Sequence, residues 1–328
     1  MSKIDGFGEA ERVAITILVD NRADLIVDSS ETVKYFTDKP LLAEHGFSAL
    51  VDLQAANKRI LWDAGITRIA LPENMKRMEI DPATIDAIAI SHGHRDHTAA
   101  VGDVLAAMDL AARGKEWPPG ASIEEMAAYA QGHRVPLIAH PAAFRERWAI
   151  GEDGKKYGPH HGAPRAAWEA AGAEIITSQG PYELGPGCWT TGYVPRRSFE
   201  ESGRSKRAYY RAGEELQRDD LEEDQAIVLN VKGKGLVVLS GCAHSGIVNT
   251  VWHAQQISGV DRVWAILGGF HLARAKPDEV QRTIDEIKKL TPHMIAPSHC
   301  TGFQAIAQFA AQMPEAFVPG VVGATYLF

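Results

Sequence analysis

Ser91-His92-Gly93-His94-Arg95-Asp96-His97 sets three imidazoles and a carboxylate within six residues, directly after the apolar run Ile85-Asp86-Ala87-Ile88-Ala89-Ile90. Neutral imidazole nitrogen and carboxylate oxygen are donors that suit zinc, iron or manganese. His92 and His94, one residue apart on extended chain, can reach a common ion, while Asp96 and His97 in the following turn face a second. A His-rich surface turn is the competing reading. The strand end argues against it, because strand ends are where clefts form.

Outward from this stretch, the same unit recurs: a short β-branched run, a loop carrying Gly and His, then a segment of helical period. After the first loop, Val101, Val104, Leu105 and Met108 lie on one helical face. The second unit is Leu236 to Ser240, the loop GCAHSG, and a helix carrying Ile247, Val248, Val251 and Trp252. The third is Val263 to Leu267, the loop GGFH, and a helix with Pro277 in its first turn and Val280, Ile284 and Ile287 as its buried stripe. The fourth is HMIAP, the loop SHCTG, and a helix from about Phe303 to Met313. Loops leaving the carboxyl ends of such strands gather on one rim. By contrast AITILVD, FSALVDL and RILWDAG read as strands of an antiparallel meander, so the class is mixed α+β. No Ser/Pro/Gly-rich linker breaks the chain, and residues 1–328 read as one domain. Within it, residues 103–183 read as a helical insertion with one strand, VPLIAH, and with capping-box spacing at Ser122 to Glu125.

Composition narrows the function classes. Of 328 residues, 45% are hydrophobic and 23% charged, as in a compact globular protein. A formal charge of -8 provides no basic field for polyanions, so nucleic acid is not an expected partner. No apolar run approaches the ~20 residues of a membrane span, and no leader-like segment opens the chain, so no membrane association and a cytoplasmic location are expected. Three cysteines, Cys188, Cys242 and Cys300, suit a reducing compartment and cannot all pair internally.

SHGHRDH resembles the H-x-H-x-D-H signature of the metallo-β-lactamase fold superfamily. That resemblance implies an αββα sandwich of two mixed β-sheets flanked by helices, with a site for one or two divalent ions: zinc first, iron or manganese as alternatives. LWDAG, Leu61 to Gly65, resembles the early acidic turn whose Asp, here Asp63, supports the site from behind. ITILVDN, AEHGFS, TGYVPR, SGCAHSGIVN, GGFHLA and PSHCTG together resemble one branch of the superfamily. Members of that branch are labelled metal-dependent hydrolases or 7,8-dihydropterin-6-ylmethyl-4-(β-D-ribofuranosyl)aminobenzene 5'-phosphate synthase. Carried over residue by residue, His92 and His94 resemble ligands of the first metal, Asp96 and His97 ligands of the second, and His299 the last histidine of the second site. The superfamily's G-H-T histidine is missing from TGYVPR, and His244 is taken as its replacement. Where many relatives place a metal-bridging Asp, this chain has Ser240, Gly241 and Cys242. Cys242 is therefore either a thiolate ligand or a small buried residue. His271 competes between a substrate-facing, a ligand and a packing role, and with Asp96 it is a candidate catalytic residue. His45 is a candidate to orient substrate, with a structural strand-end histidine as the alternative, and Arg196, Arg197 and Lys34 are candidate contacts to an anionic substrate, with solvent-facing charge as the alternative.

An open position on such an ion lowers the pKa of bound water from about 15.7 to about 7. The expected function is accordingly hydrolysis of a small-molecule phosphoester, thioester or lactone by metal-activated hydroxide. Two alternatives stand beside it: a synthase joining a pterin to an aminobenzene ribotide, and a binding or sensor protein that keeps the metal with little turnover.

Overall fold

The computed structural model describes residues 3–113, 120, 122–126, 134–160, 162–203, 205 and 207–328. The fold is an αββα sandwich. Its first sheet has eight strands in the order Val33–Tyr35, Ala324–Leu327, Val13–Val19, Ser48–Leu53, Lys58–Trp62, Ala87–Ala89, Val135–Ala139 and Ala173–Thr177. Its second has six, in the order Tyr182–Gly185, Cys188–Thr190, Ala226–Val231, Gly235–Ser240, Val263–Gly269 and Met294–Ser298. The meander expected near the N-terminus is present, with Val13–Val19, Ser48–Leu53 and Lys58–Trp62 pairing antiparallel. The strands of the later strand–loop–helix units pair parallel.

Side chains alternating across each strand generate the layers. Ala49, Val51, Ile60 and Trp62 from the first sheet meet Val237, Leu239, Ala265 and Leu267 from the second in a core between the sheets. The intervening residues point outward. Leu50, Leu61 and Ile88 pack against Leu71, Val101, Val104, Leu105 and Trp168 of the helices on one side. Leu236, Val238 and Ile266 pack against Ile247, Val251, Ile284 and Phe309 on the other. Each such buried aliphatic side chain contributes about 1.5–3 kcal/mol. Trp252, an apolar residue of the helix Ile247–Ser258, is 39% exposed. The stripe there runs through Ile247, Val248, Val251, Ala254 and Ile257, which leaves position 252 outside its arc.

In the second half of residues 103–183 the expected strand VPLIAH is present as Val135–Ala139, and further strands accompany it where helix was expected. Val135–Ala139 and Ala173–Thr177 are parallel strands that complete the first sheet. Arg147–Ile150 and Lys156–His160 join Ala208–Ala212 and Glu215–Arg218 in a small four-stranded sheet. Arg147–Ile150 is largely half-buried and Lys156–His160 exposed throughout, so both lack the apolar runs that reveal buried strands. The capping box at Ser122 is formed: Ser122 N donates to Glu125 Oε2 at 2.6 Å and Glu125 N to Ser122 Oγ at 3.1 Å. Among the described residues no helix is long and apolar enough to cross a membrane.

Candidate metal centre

The histidine-bearing loops come from two sheets rather than one, and they meet where the carboxyl ends of facing strands adjoin. Gly241 permits this. A Cβ there would lie 2.2 Å from Ser91 Oγ and 2.7 Å from Asp63 Oδ2, so only glycine lets the second sheet's loop settle onto the first. Four non-glycine residues of these loops, Asp63, Ala243, His271 and His299, hold φ between 48° and 60°. Such left-handed backbone is uncommon and gathers at functional sites.

Behind the site, Asp63 is fully buried and organises the first loop. Its carboxylate accepts from Ser91 N and Ser91 Oγ, each at 2.7 Å, and faces His97 Nδ1 at 2.7 Å. Ser91 Oγ also lies 2.9 Å from His92 Nδ1. With their Nδ1 atoms engaged from behind, His92 and His97 turn Nε2 toward His94 and Cys242 respectively. His299 is braced in the same manner by Asn21, whose Oδ1 lies 3.2 Å from His299 Nδ1 and whose Nδ2 donates to His299 O at 3.3 Å.

The forward-facing atoms converge as two overlapping groups. In one, His97 Nε2 and His299 Nε2 lie 3.1 and 3.3 Å from Cys242 Sγ and 3.7 and 3.5 Å from Asp96 Oδ2. In the other, ligand atoms of His92, Cys242 and His244 lie within 4.8 Å of one another, and His94 Nδ1 is 3.0 Å from His92 Nε2. Cys242 belongs to both groups. The structure thus brings together His92, His94, Asp96, His97, His244 and His299, and sets Cys242 between the two halves.

The donor set fits divalent ions on three grounds. Both ring nitrogens of His244 are buried without a hydrogen-bond partner among the described residues, a costly state unless a ligand occupies them. Imidazole, carboxylate and thiolate are the donors of zinc and iron sites. Burial, helped by neighbouring imidazoles, holds His92 and His244 well below the ordinary histidine pKa, and burial holds His94 at about 4, so all three present lone pairs at neutral pH. At Asp96, burial works toward a higher pKa, but His97 and His299 outweigh it and hold the carboxylate ionised. At His97, burial works downward and is outweighed by Asp63 and Asp96, which lift it to about 9. Removing that proton, which binding through Nε2 requires, is work that bound cations would do.

The other candidates take different places. His271 is half-buried, its ring centroid 4.1 Å from that of His244, with Nδ1 unpartnered among the described residues. The His45 side chain, 59% exposed, places Nε2 3.5 Å from Asp96 Oδ2 at the rim. Arg196 donates from Nη1 to His244 O and from Nη2 to Asp220 O, bracing the second loop from its backbone. Sequence reading missed the bracing role of Asn21 and the place of Cys300, which lies with Cys242 and His271 in a further donor cluster. An Asn or Cys beside a strand end carries no pattern of its own.

Glu200 fixes the helix that follows the second loop. Its buried carboxylate accepts from Val248 N and Asn249 N, each at 3.1 Å, and from Ser198 Oγ at 2.7 Å. Glu200→Ala is expected to lower unfolding free energy by about 1.5–3 kcal/mol, measured by urea titration with an unchanged slope.

Residues 43–166 match the family description "Metallo-beta-lactamase superfamily". The chain is 30% identical over 285 residues, 85% of this chain and 88% of the relative, to the 7,8-dihydropterin-6-methyl-4-(beta-D-ribofuranosyl)-aminobenzene-5'-phosphate synthase of Methanocaldococcus jannaschii. It is 32% identical over 305 residues to an uncharacterised protein of the same organism, MJ0448, covering 91% of this chain and 97% of that protein. Among solved structures it resembles Tm1679, titled a metal-dependent hydrolase of the beta-lactamase superfamily, with a TM-score of 0.69 and 20% identity over 95% of this chain and 98% of the other.

Proposed function

This chain belongs to the metallo-beta-lactamase superfamily, and from that premise we propose that it is a metal-dependent hydrolase of a small-molecule ester-type substrate: a phosphoester, thioester or lactone. The observation that carries the reading is the buried, unpartnered His244 facing the H-x-H-x-D-H cluster, with Cys242 between two groups of donors. His92, His94 and His244 would hold one ion, Asp96, His97 and His299 a second, and Cys242 both. Bound there, divalent ions supply Lewis acidity toward a carbonyl or phosphoryl oxygen and acidify water.

The chain's own groups do the rest. Asp63, Ser91 and Asn21 orient the imidazoles. Asp96 supplies fixed negative charge at the base of the cleft. His271 is placed to hand a proton to a leaving group: burial resists its protonation, but Cys300, Asp224 and Asp96 outweigh that and raise its pKa. His45, exposed beside Asp96, is positioned to contact the substrate at the rim.

A second reading, transfer rather than hydrolysis, is favoured by the relative named as a synthase. One experiment separates them. The metal-loaded protein is assayed against phosphodiesters, thioesters and lactones, and against a pterin pyrophosphate with an aminobenzene ribotide, each with and without chelator. Chelator-sensitive hydrolysis is the expected result, and product only from the paired substrates would replace it with the synthase. Tight retention of a ligand without turnover in any arm would mark a binding protein.

A further inference from the structure

Cys242 and Cys300 lie together beside His271, and we infer that they close reversibly into a disulfide that withdraws Cys242 from the metal centre. The coupling to metal rests on the reading given under Proposed function; the disulfide itself does not. The two cysteines follow the strands Gly235–Ser240 and Met294–Ser298, on either side of Val263–Gly269. That middle strand ends at Gly269, where a Cβ would lie 2.7 Å from Cys300 Sγ and 2.4 Å from Gly241 O. Glycine therefore keeps side-chain bulk out of the space the thiols share. Both sulfurs and a ring nitrogen of His271 lie within 4.8 Å of one another, and Cys300 Sγ is 3.5 Å from Cys242 O. A disulfide requires an S–S distance of about 2.03–2.05 Å, so the sulfurs must approach by less than about 3 Å.

Cys300 is 9% exposed and Cys242 2%, which makes Cys300 the entry point. Its thiolate attacks a low-molecular-weight disulfide such as oxidised glutathione, breaking the glutathione S–S bond and releasing one glutathione thiol. The Cys242 thiolate then attacks Cys300 sulfur in the mixed disulfide and releases the second. Two electrons pass from the cysteine pair to oxidised glutathione, and the two thiol protons end on the released glutathione. A Cys242 engaged with a cation cannot take the second step, so metal and disulfide exclude each other. Cys188 is buried in the core between the sheets and provides an internal reference.

The test uses the full chain, first stripped of metal and reduced. After incubation with oxidised glutathione, thiols titrated under denaturing conditions should fall from three to one, and non-reducing peptide mapping should join Cys242 to Cys300. Zinc affinity of that oxidised protein should be weaker by at least about tenfold and should return with dithiothreitol. Cys300→Ser should form no cross-link and take up zinc equally before and after the oxidant; Cys242→Ser, as a second variant, should also form no cross-link. Three surviving thiols in the wild type, or a lasting glutathione adduct in place of the cross-link, would overturn the proposal. A cross-linked protein with unaltered zinc affinity would overturn the coupling. If the reduced protein binds no zinc at all, the metal-centre reading fails instead, and the thiol count still decides the cross-link.

Discussion

Alanine at His92, His94 or Asp96 is expected to bring metal-dependent turnover down to background and to lower the metal retained after dialysis, measured as metal per chain alongside initial rates. Within the cluster, His92 and His97 are held from behind by Ser91 and Asp63, so neither is free to swing into the place of a removed ligand. Asn21→Ala provides the graded comparison. It leaves every proposed ligand in place but removes the brace on His299 Nδ1, and outer partners of this kind change metal affinity by about 10–100-fold. Full activity in His92→Ala or His94→Ala would refute the assignment of the first site.

Arg147→Ala is expected to destabilise the fold by about 3–5 kcal/mol at neutral pH, read by denaturant unfolding, because it leaves buried carboxylates unpaired. Arg147 Nε donates to Asp219 Oδ2 at 2.8 Å and Nη2 to Ala142 O at 3.0 Å, and Nη2 also pairs with Glu223. From there the chain runs straight into the site. Asp224 Oδ2 accepts from Ser245 N at 2.8 Å, and Gln225 N donates to Ser91 O at 3.1 Å. The segment from Asp219 to Gln225, tied to the small sheet through Arg147, thereby touches the loops that carry His92 and His244. Burial, opposed by Arg147 and reinforced by Asp219, raises Glu223 to about 7 from a carboxylate's ordinary 4.5. The folded protein therefore binds more protons than the unfolded chain between those values, and this group's contribution makes stability fall as pH rises through that window. Glu223→Gln should flatten the slope, whereas an unchanged slope would place the titration elsewhere.

Much of this was legible in the sequence because it rests on local pattern. Short apolar, β-branched runs ending in Gly- and His-bearing loops mark the strands Ala87–Ala89, Gly235–Ser240, Val263–Gly269 and Met294–Ser298, and SHGHRDH marks the first loop. His244, chosen because TGYVPR lacks a histidine, lies beside His92 with ring centroids 4.8 Å apart. What pattern does not carry is long-range pairing. Nothing in Ala324–Leu327 shows that it inserts between Val33–Tyr35 and Val13–Val19, and nothing in Arg147–Ile150 shows that it pairs with Ala208–Ala212. The charge of Arg196 suggests an anionic partner, yet its guanidinium donates to the backbone carbonyls of His244 and Asp220, which no side-chain pattern reveals.

The central claim is that loops from two facing sheets enclose cations, and anomalous X-ray diffraction from crystals grown with zinc, collected on both sides of the zinc absorption edge, tests it most directly. Anomalous density is expected among His92, His94 and His244 and among Asp96, His97 and His299, with Cys242 Sγ between. Fully occupied zinc bound only at surface histidines, with those positions holding none, would contradict the claim.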